Sequence, residues 1–331
     1  MSPIGRRPAM NDGDRPLLLV LVYLSPEHQE LVARHYDAVY APSDGNGKSD
    51  RTAVLEQVAR HGARVRVVLT NGAFGLTPQE MDGMPLLELV CSVGVGYESI
   101  AVDHARARGI RVCNAAGTNE ECVADHAMML LLAATRRLPF LNTGVRRGLW
   151  RDQIPRPPNV SFKRMAILGL GGIGRCIARR AEGFHMEIGY RNRKPRQDVP
   201  YRYFEDLHEM ACWCDYLVVA APAGPQMEHV INASVLEALG PAGVLVNISR
   251  GSLVDTQALA DALRQGVIFA AGLDVYEGEP RPPEPLLDLD NAVLTPHIAG
   301  ISPEAIHASV VKFLENAQAH FSGEPLLTPV D

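Results

Sequence analysis

A chain of 331 residues is long for a single hydrophobic core, so two domains are the expectation. Its 47% apolar content is ordinary for a globular protein, and a net charge of −6 from 32 Lys and Arg against 38 Asp and Glu excludes a general nucleic-acid-binding surface. No apolar run reaches the length of a membrane span, which excludes a helical membrane protein.

Residues 1 to 15 are polar, with Pro, Gly and charges, and read as a disordered segment or an extension upstream of Met10. The apolar stretch Leu17 to Leu24 has no small-residue cleavage site after it and stops at Ser25-Pro26, so it reads as a first strand and not as a secretory signal. Strand-like runs follow at Val65 to Leu69, Leu86 to Ser92 and Ile110 to Cys113, with the first run extending from Leu17 to Tyr23. Helical or loop segments between them argue for a small parallel sheet covered by helices. Two turns at strand ends, Asn71 to Gly75 and Val93 to Gly96, lie where ligands gather in open parallel sheets. N–H groups near Asn71, or of Val93 and Gly94, are candidates to hold a substrate carboxylate. Plain turn chemistry explains either glycine pair equally well.

Thr118 to Glu121 has the T-x-x-E spacing of a capping box and opens a helix expected to run to about Leu138. Between Ala127 and Ala134 it is apolar on every side, which suits a helix buried between two domains or two subunits. Gly144 to Pro158, rich in Arg, Gly and Pro, reads as a linker or arm. Trp150 within it either anchors onto its own domain or inserts into a partner subunit.

Lys163 to Leu168 is a short apolar strand that ends at Gly169, and Gly169, Gly171 and Gly174 form G-x-G-x-x-G where a helix must begin. This is the dinucleotide-binding fingerprint in its required context. Gly169 permits the tight turn, Gly171 lets the backbone approach a pyrophosphate, and Gly174 lets the helix pack close to the strand. The whole turn, with Leu170, Gly172 and Ile173, is therefore assigned to cofactor binding. The next strand, Glu187 to Tyr190, ends in Arg191, Asn192, Arg193, Lys194, Pro195 and Arg196, where an NAD-binding unit usually carries a carboxylate. Guanidinium groups grip a 2′-phosphate that a carboxylate would repel, so the expected cofactor is NADP(H), with Arg191, Asn192 and Arg193 as its contacts. A solvated basic loop is the alternative.

Further strands at Tyr216 to Ala221, Val244 to Ile248, Ile268 to Leu273 and Val293 to Thr295 bring this sheet to six, a complete doubly wound domain. Helices at Ser234 to Leu239 and at Thr256 to Arg264, the latter capped by Asp255, separate them. A last helix, Ser302 to Phe321, is expected to return the chain to the first domain. The six cysteines, Cys91, Cys113, Cys122, Cys176, Cys212 and Cys214, form no C-x-x-C pair and read as buried free thiols in a reducing cytoplasm, with no metal site.

Arg250 in VNISRG, Glu279 in GLDVYEGEP and His297 in LTPHIAG stand at or just past three late strand ends. Hydride transfer to a 2-keto acid needs a fixed cation for the carboxylate and carbonyl oxygen, and an acid to protonate that oxygen. Arg250 can be the cation and His297 the acid, with Glu279 raising the pKa of His297 and orienting its ring.

With VGVGYESI, GLGGIGR, VNISRGSLVD, GLDVYEGEP and TPHIAG spread from residue 93 to residue 300, the chain resembles the D-isomer-specific 2-hydroxyacid dehydrogenase family over nearly its whole length. The resemblance implies two Rossmann-like doubly wound parallel-sheet α/β domains around a cleft, divided as residues 1–113 with 299–331 for substrate and 114–298 for dinucleotide. It implies that Arg250, Glu279 and His297 are catalytic and that the Val93-Gly94 turn gives N–H groups to the substrate carboxylate. It also implies that Asp274 contacts the nicotinamide carboxamide, that Pro222, Ile248 and Gly300 line the cofactor, and that the protein is a homodimer whose Trp150 crosses to the neighbour's cleft. Ala221 stands where many relatives have a polar residue before the proline. Within the family, the basic strand end with PYRYFED and LLTPV is most similar to NADP-dependent glyoxylate/hydroxypyruvate reductases. That implies a cytoplasmic enzyme reducing a small 2-keto acid, without membrane or nucleic-acid partners. Two alternatives stay open, an NAD-dependent relative acting on an arylpyruvate or another 2-hydroxy acid, and a dinucleotide-sensing corepressor. Neither substrate turn contains Arg or Lys, which counts against a phosphorylated substrate.

Overall fold

The computed structural model describes residues 15–41 and 50–330, so residues 1–14 of the expected N-terminal extension lie outside it. The chain forms two compact units, Met1–Asn119 with Ser302–Asp331, and Glu120–Ile301. In the first, strands β1 (Leu17–Val20), β2 (Asp37–Tyr40), β3 (Val65–Thr70), β4 (Leu89–Ser92) and β5 (Arg111–Cys113) alternate with helices α1 (Pro26–Ala33), α2 (Arg51–His61), α3 (Pro78–Asp82) and α4 (Val102–Ala107). The second unit runs α5 (Glu120–Thr135), α6 (Leu138–Arg146), β6 (Arg164–Leu168), α7 (Gly172–Glu182), β7 (Glu187–Arg191), β8 (Arg202–Tyr203), α8 (Leu207–Trp213) and β9 (Tyr216–Val219). It continues with α9 (Ala233–Leu239), β10 (Val244–Asn247), α10 (Thr256–Arg264), β11 (Ala270–Leu273) and β12 (Ala292–Leu294). Helix α11 (Pro303–Phe321), capped by the Ser302 hydroxyl, closes the chain in the first unit.

Both sheets are wholly parallel, ordered β2-β1-β3-β4-β5 and β12-β11-β10-β9-β6-β7-β8. Successive strand residues point to opposite faces, and each face here has its own apolar layer. In β6, Met165 and Ile167 enter one core and Ala166 and Leu168 the other. In β1, Leu17 and Leu19 divide from Leu18 and Val20 in the same way. Burial on both faces is why these strands read as continuous apolar runs in the sequence. The strand order of the second sheet reverses beside β6, whose neighbours are β7 and β9, and a crevice opens past the carboxyl ends of strands at such a point.

The structure departs from several of these expectations. Strand β2, DAVY, was not anticipated, because it lies at the sheet edge with Asp37 exposed and the rest half-buried, and so lacks an apolar run. The short β8 inside PYRYFED brings the second sheet to seven strands instead of six. Within its own chain helix α5 leaves Met129 43% exposed, on the stripe it shares with Glu121 and Asp125. The expected arm from Gly144 begins inside a helix, α6, which ends at Arg146. Elsewhere α5 packs closely, and a Cβ on Gly272 of β11 would collide with Leu130. The Thr118 hydroxyl is bonded to the Ala115 carbonyl and lies 3.0 Å from Ser309, while α5 opens later, at Glu120. All six thiols are free, but Cys212 is exposed. No helix among the described residues is long and apolar enough to cross a membrane.

Candidate active site

The glycine turn closes β6 and opens α7. Gly169 has φ of +99°, and a Cβ there would strike the Ala220–Ala221 backbone at the end of β9. Gly174 is pressed against the Gly169 carbonyl, which brings helix and strand together. Gly171, the residue before α7, has nothing within 4 Å of the place a Cβ would take, so its backbone is open to a ligand. A helix start carries N–H groups without intrahelical acceptors and the positive end of the helix dipole. This cradle fits the pyrophosphate of a dinucleotide. A Cβ on Gly172 would meet the Glu120 carboxylate, which already lies against the same helix start.

Past β7 the backbone is tied to the glycine turn. Gly169 donates to the Arg191 carbonyl at 2.9 Å, and Leu170 donates to Asn192 Oδ1 at 2.7 Å. Arg191 Nε is committed to the Glu205 carbonyl, while Arg196 forks onto Asp198, which also takes Arg175 at 3.2 Å. Arg193 and Lys194 are exposed and have no acidic partner among the described residues.

Three strand ends of the same unit carry the polar constellation. At the end of β10, buried Asn247 takes the Ser249 N–H and donates to the Arg250 carbonyl at 3.0 Å, fixing the turn that presents Arg250. At the end of β11, the Asp274 carboxylate is 1% exposed and accepts from Thr295 Oγ1 at 2.6 Å, from the Ile298 N–H at 3.0 Å and from the Ala299 N–H at 2.8 Å. These bonds span the turn that holds His297, whose φ of +52° departs from the ordinary regions. His126 on α5 supports the group, with Nε2 2.9 Å from Thr295 Oγ1.

His297 Nδ1 donates to Glu279 Oε2 at 2.6 Å. An ionised carboxylate only accepts, so Nδ1 carries the proton and Nε2 is left for exchange with a substrate. The hydrogen bond that His297 donates to Glu279 raises the His297 pKa above its ordinary value, against burial and the Arg250 charge, with the Glu279 charge adding to the rise. Burial pushes the Glu279 carboxyl up, but hydrogen bonds from His297 and from the Tyr276 N–H, with the His297 and Arg250 charges, bring it below the usual range. A cavity of about 340 Å³ adjoins the pair, lined by Tyr276, Pro280, Leu287 and Leu294 among others. The sequence offers two carboxylates in EGE, and the structure separates them. Glu277 pairs with His229 at 2.6 Å and takes the Thr256 N–H, which ties the segments following β9, β10 and β11 together. His229 carried no motif, and only its partner's place beside Glu279 could have drawn notice to it.

The remaining candidates divide by unit. Ile248, in the turn after β10, is buried, Pro222 beyond β9 is exposed, and Gly300 follows the Asp274-bound turn. Ala221 is buried. Trp150 is 64% exposed, its backbone held to Gln153 by N–H bonds of 3.0 and 2.9 Å. In the first unit, Asn71 Oδ1 accepts from Ala73 and Phe74, so its side chain builds its own turn. Val93 donates its N–H to the Thr70 carbonyl at 2.8 Å, which corrects the expectation that both residues of that turn offer N–H groups. Gly94, with φ of +114°, has no acceptor for its N–H among the described hydrogen bonds.

The family model described as D-isomer specific 2-hydroxyacid dehydrogenase, NAD binding domain, matches residues 128–299. The chain is 41% identical over 282 residues to glyoxylate/hydroxypyruvate reductase A of Arabidopsis thaliana, covering 85% of this chain and 89% of the relative. It is 40% identical over 274 residues to hydroxyphenylpyruvate reductase of Plectranthus scutellarioides, covering 82% and 88%. Among solved structures, the NADPH-dependent glyoxylate/hydroxypyruvate reductase of Sinorhizobium meliloti in complex with NADP and malonate aligns with a TM-score of 0.84 at 37% identity, covering 96% of this chain and 97% of that one.

Proposed function

This chain belongs to the D-isomer specific 2-hydroxyacid dehydrogenase family, oxidoreductases that use a nicotinamide dinucleotide, and from that premise we propose that it reduces glyoxylate or hydroxypyruvate with NADPH. The observation that carries the reading is the His297–Glu279 hydrogen bond in a unit that also holds Arg250 and the glycine cradle. A nicotinamide dinucleotide held at the Gly169–Gly174 turn would supply hydride for the carbonyl carbon. Arg250 holds the substrate carboxylate and the carbonyl oxygen, and stabilises the charge that grows on that oxygen. His297 delivers a proton from Nε2 to the same oxygen, and Glu279 keeps Nδ1 protonated and the ring in place. Asp274 fixes the turn from Thr295 to Ala299 on which His297 depends.

The preference for NADPH is supported by the unpaired cations Arg193 and Lys194 and by the NADP complex of the Sinorhizobium relative. Assembly as a homodimer is supported by apolar side chains left exposed along α5, α6 and the segment after them, Met129, Leu138, Val145 and Trp150. The test is turnover on a panel of glyoxylate, hydroxypyruvate and 4-hydroxyphenylpyruvate with NADPH and with NADH. Highest efficiency with NADPH and a small keto acid is expected. A decisive preference for the aryl substrate, or dinucleotide binding without turnover on any member, would overturn the proposal.

A further inference from the structure

We propose that two tyrosine hydroxyls, those of Tyr190 and Tyr203, clamp the loop carrying Arg193 and Lys194 and so determine the preference for a dinucleotide with a 2′-phosphate; the inference rests on the NADPH reading above. Tyr190 on β7 and Tyr203 on β8 are register partners, with ring centroids 5.5 Å apart and edge-on. Tyr190 is 1% exposed within the core, yet its hydroxyl reaches the loop. It accepts the Arg196 N–H at 2.7 Å and donates to the Arg196 carbonyl at 3.4 Å. The Tyr203 hydroxyl donates to the Asn192 carbonyl at 3.3 Å, at the other end of the same loop. Asn192 is held a second time, by the Leu170 N–H of the glycine turn. The segment between these anchors is therefore fixed relative to the cradle that takes the pyrophosphate.

Charge pairing inside this region is uneven. Asp198 neutralises Arg196 through bonds of 2.8 and 2.7 Å and engages Arg175 as well. Arg193 and Lys194, between the anchors, are left without an acidic partner among the described residues. A phosphate met by these cations on a loose loop would have to order the loop, which weakens binding. A loop ordered on folding avoids that cost. This gives the two-residue strand β8 a role, since it brings Tyr203 opposite Tyr190.

Phenylalanine at either position keeps the ring and removes only the oxygen, so Tyr190→Phe, Tyr203→Phe and the double variant test the clamp. KM and kcat are measured for NADPH and NADH at saturating glyoxylate, with binding of adenosine 2′,5′-bisphosphate and of AMP by calorimetry. Each single variant should raise KM for NADPH, and weaken the bisphosphate, by about three- to tenfold, the scale of one lost hydrogen bond. The double variant should lose more, while kcat at saturating NADPH, KM for NADH and AMP binding stay unchanged. Arg193→Ala, run in parallel, reports on the cofactor reading itself. If wild type favours NADPH and Arg193→Ala abolishes the preference while the tyrosine variants keep it, the clamp alone is wrong. Equal losses with both cofactors would make the tyrosines ordinary packing residues and would also overturn it. A wild type indifferent between the cofactors, with no effect of Arg193→Ala, would remove the NADPH reading and the clamp with it.

Discussion

Glu279→Gln keeps the shape of the side chain and deletes its charge, which isolates what the carboxylate does for His297. The pair meets at 2.6 Å, with side chains 50% exposed for His297 and 29% for Glu279. A hydrogen bond to a charged group contributes about 1.5–3 kcal/mol. Solvent screening at this exposure trims that to about 1–2 kcal/mol. Turnover with glyoxylate at neutral pH and above should accordingly fall by about 5- to 30-fold. The direction of the pH effect follows from the cause of the shift. Because the Glu279 hydrogen bond is the leading reason why the His297 pKa is raised, its removal lowers that pKa. Reduction requires the protonated imidazole, so activity should be lost at a lower pH than in wild type, and the two proteins should converge as the pH falls. The assay is a pH profile of kcat/KM for glyoxylate at saturating NADPH. An alkaline limb that stays in place, or moves upward, would show that Glu279 does not act on His297.

In the role proposed for it, Arg250 meets both the ground-state carboxylate and the developing charge, so Arg250→Ala should raise KM for the keto acid and lower kcat together; a change confined to NADPH affinity would place Arg250 elsewhere. Gly171→Ala and Gly174→Ala should separate binding from folding. The first enters open space and should weaken dinucleotide binding with little change in Tm, whereas the second runs into the Gly169 carbonyl and should cost about 1–3 kcal/mol in denaturant unfolding. Trp150→Ala should change the ratio of kcat/KM between glyoxylate and bulkier keto acids by about tenfold, with NADPH affinity kept; a proportional loss on all substrates would make the ring a packing anchor. Hydrogen bonds from Arg179 and then Arg180 hold the Glu121 carboxyl down at about 2. A depressed carboxyl stabilises the fold above its unfolded value and stops doing so as the pH falls through its folded one. The small Tm difference between wild type and Glu121→Gln should therefore shrink from pH about 4.5 toward about 2, and a difference that persists there would refute the pairing.

What could be read from the sequence was whatever rests on local chemistry. The strands buried on both faces announce themselves as apolar runs, the Asp255 cap falls where expected, and Gly169 and Gly174 have the conformational reasons their spacing suggests. The edge strands β2 and β8 escaped because half-exposed residues break the apolar run, and what marks them is pairing with a distant strand. Helix α6 escaped because Pro139 and Gly144 disguise it. At the candidate site, residue types at strand ends pointed to Arg250, Glu279 and His297. The supporting bonds of Asp274, His126 and the His229–Glu277 pair join residues far apart in the chain, and no spacing rule reports them. Val93 likewise has its N–H committed to the Thr70 carbonyl, a pairing with a neighbouring strand that its motif does not show.

The most direct measurement of the central claim is NADPH oxidation by glyoxylate in His297→Ala, with NADPH affinity determined on the same preparation. Loss of the proton donor should reduce turnover by about two to four powers of ten while the dissociation constant for NADPH stays within a few-fold of wild type. Turnover close to wild type at neutral pH would contradict the assignment of His297 as the acid.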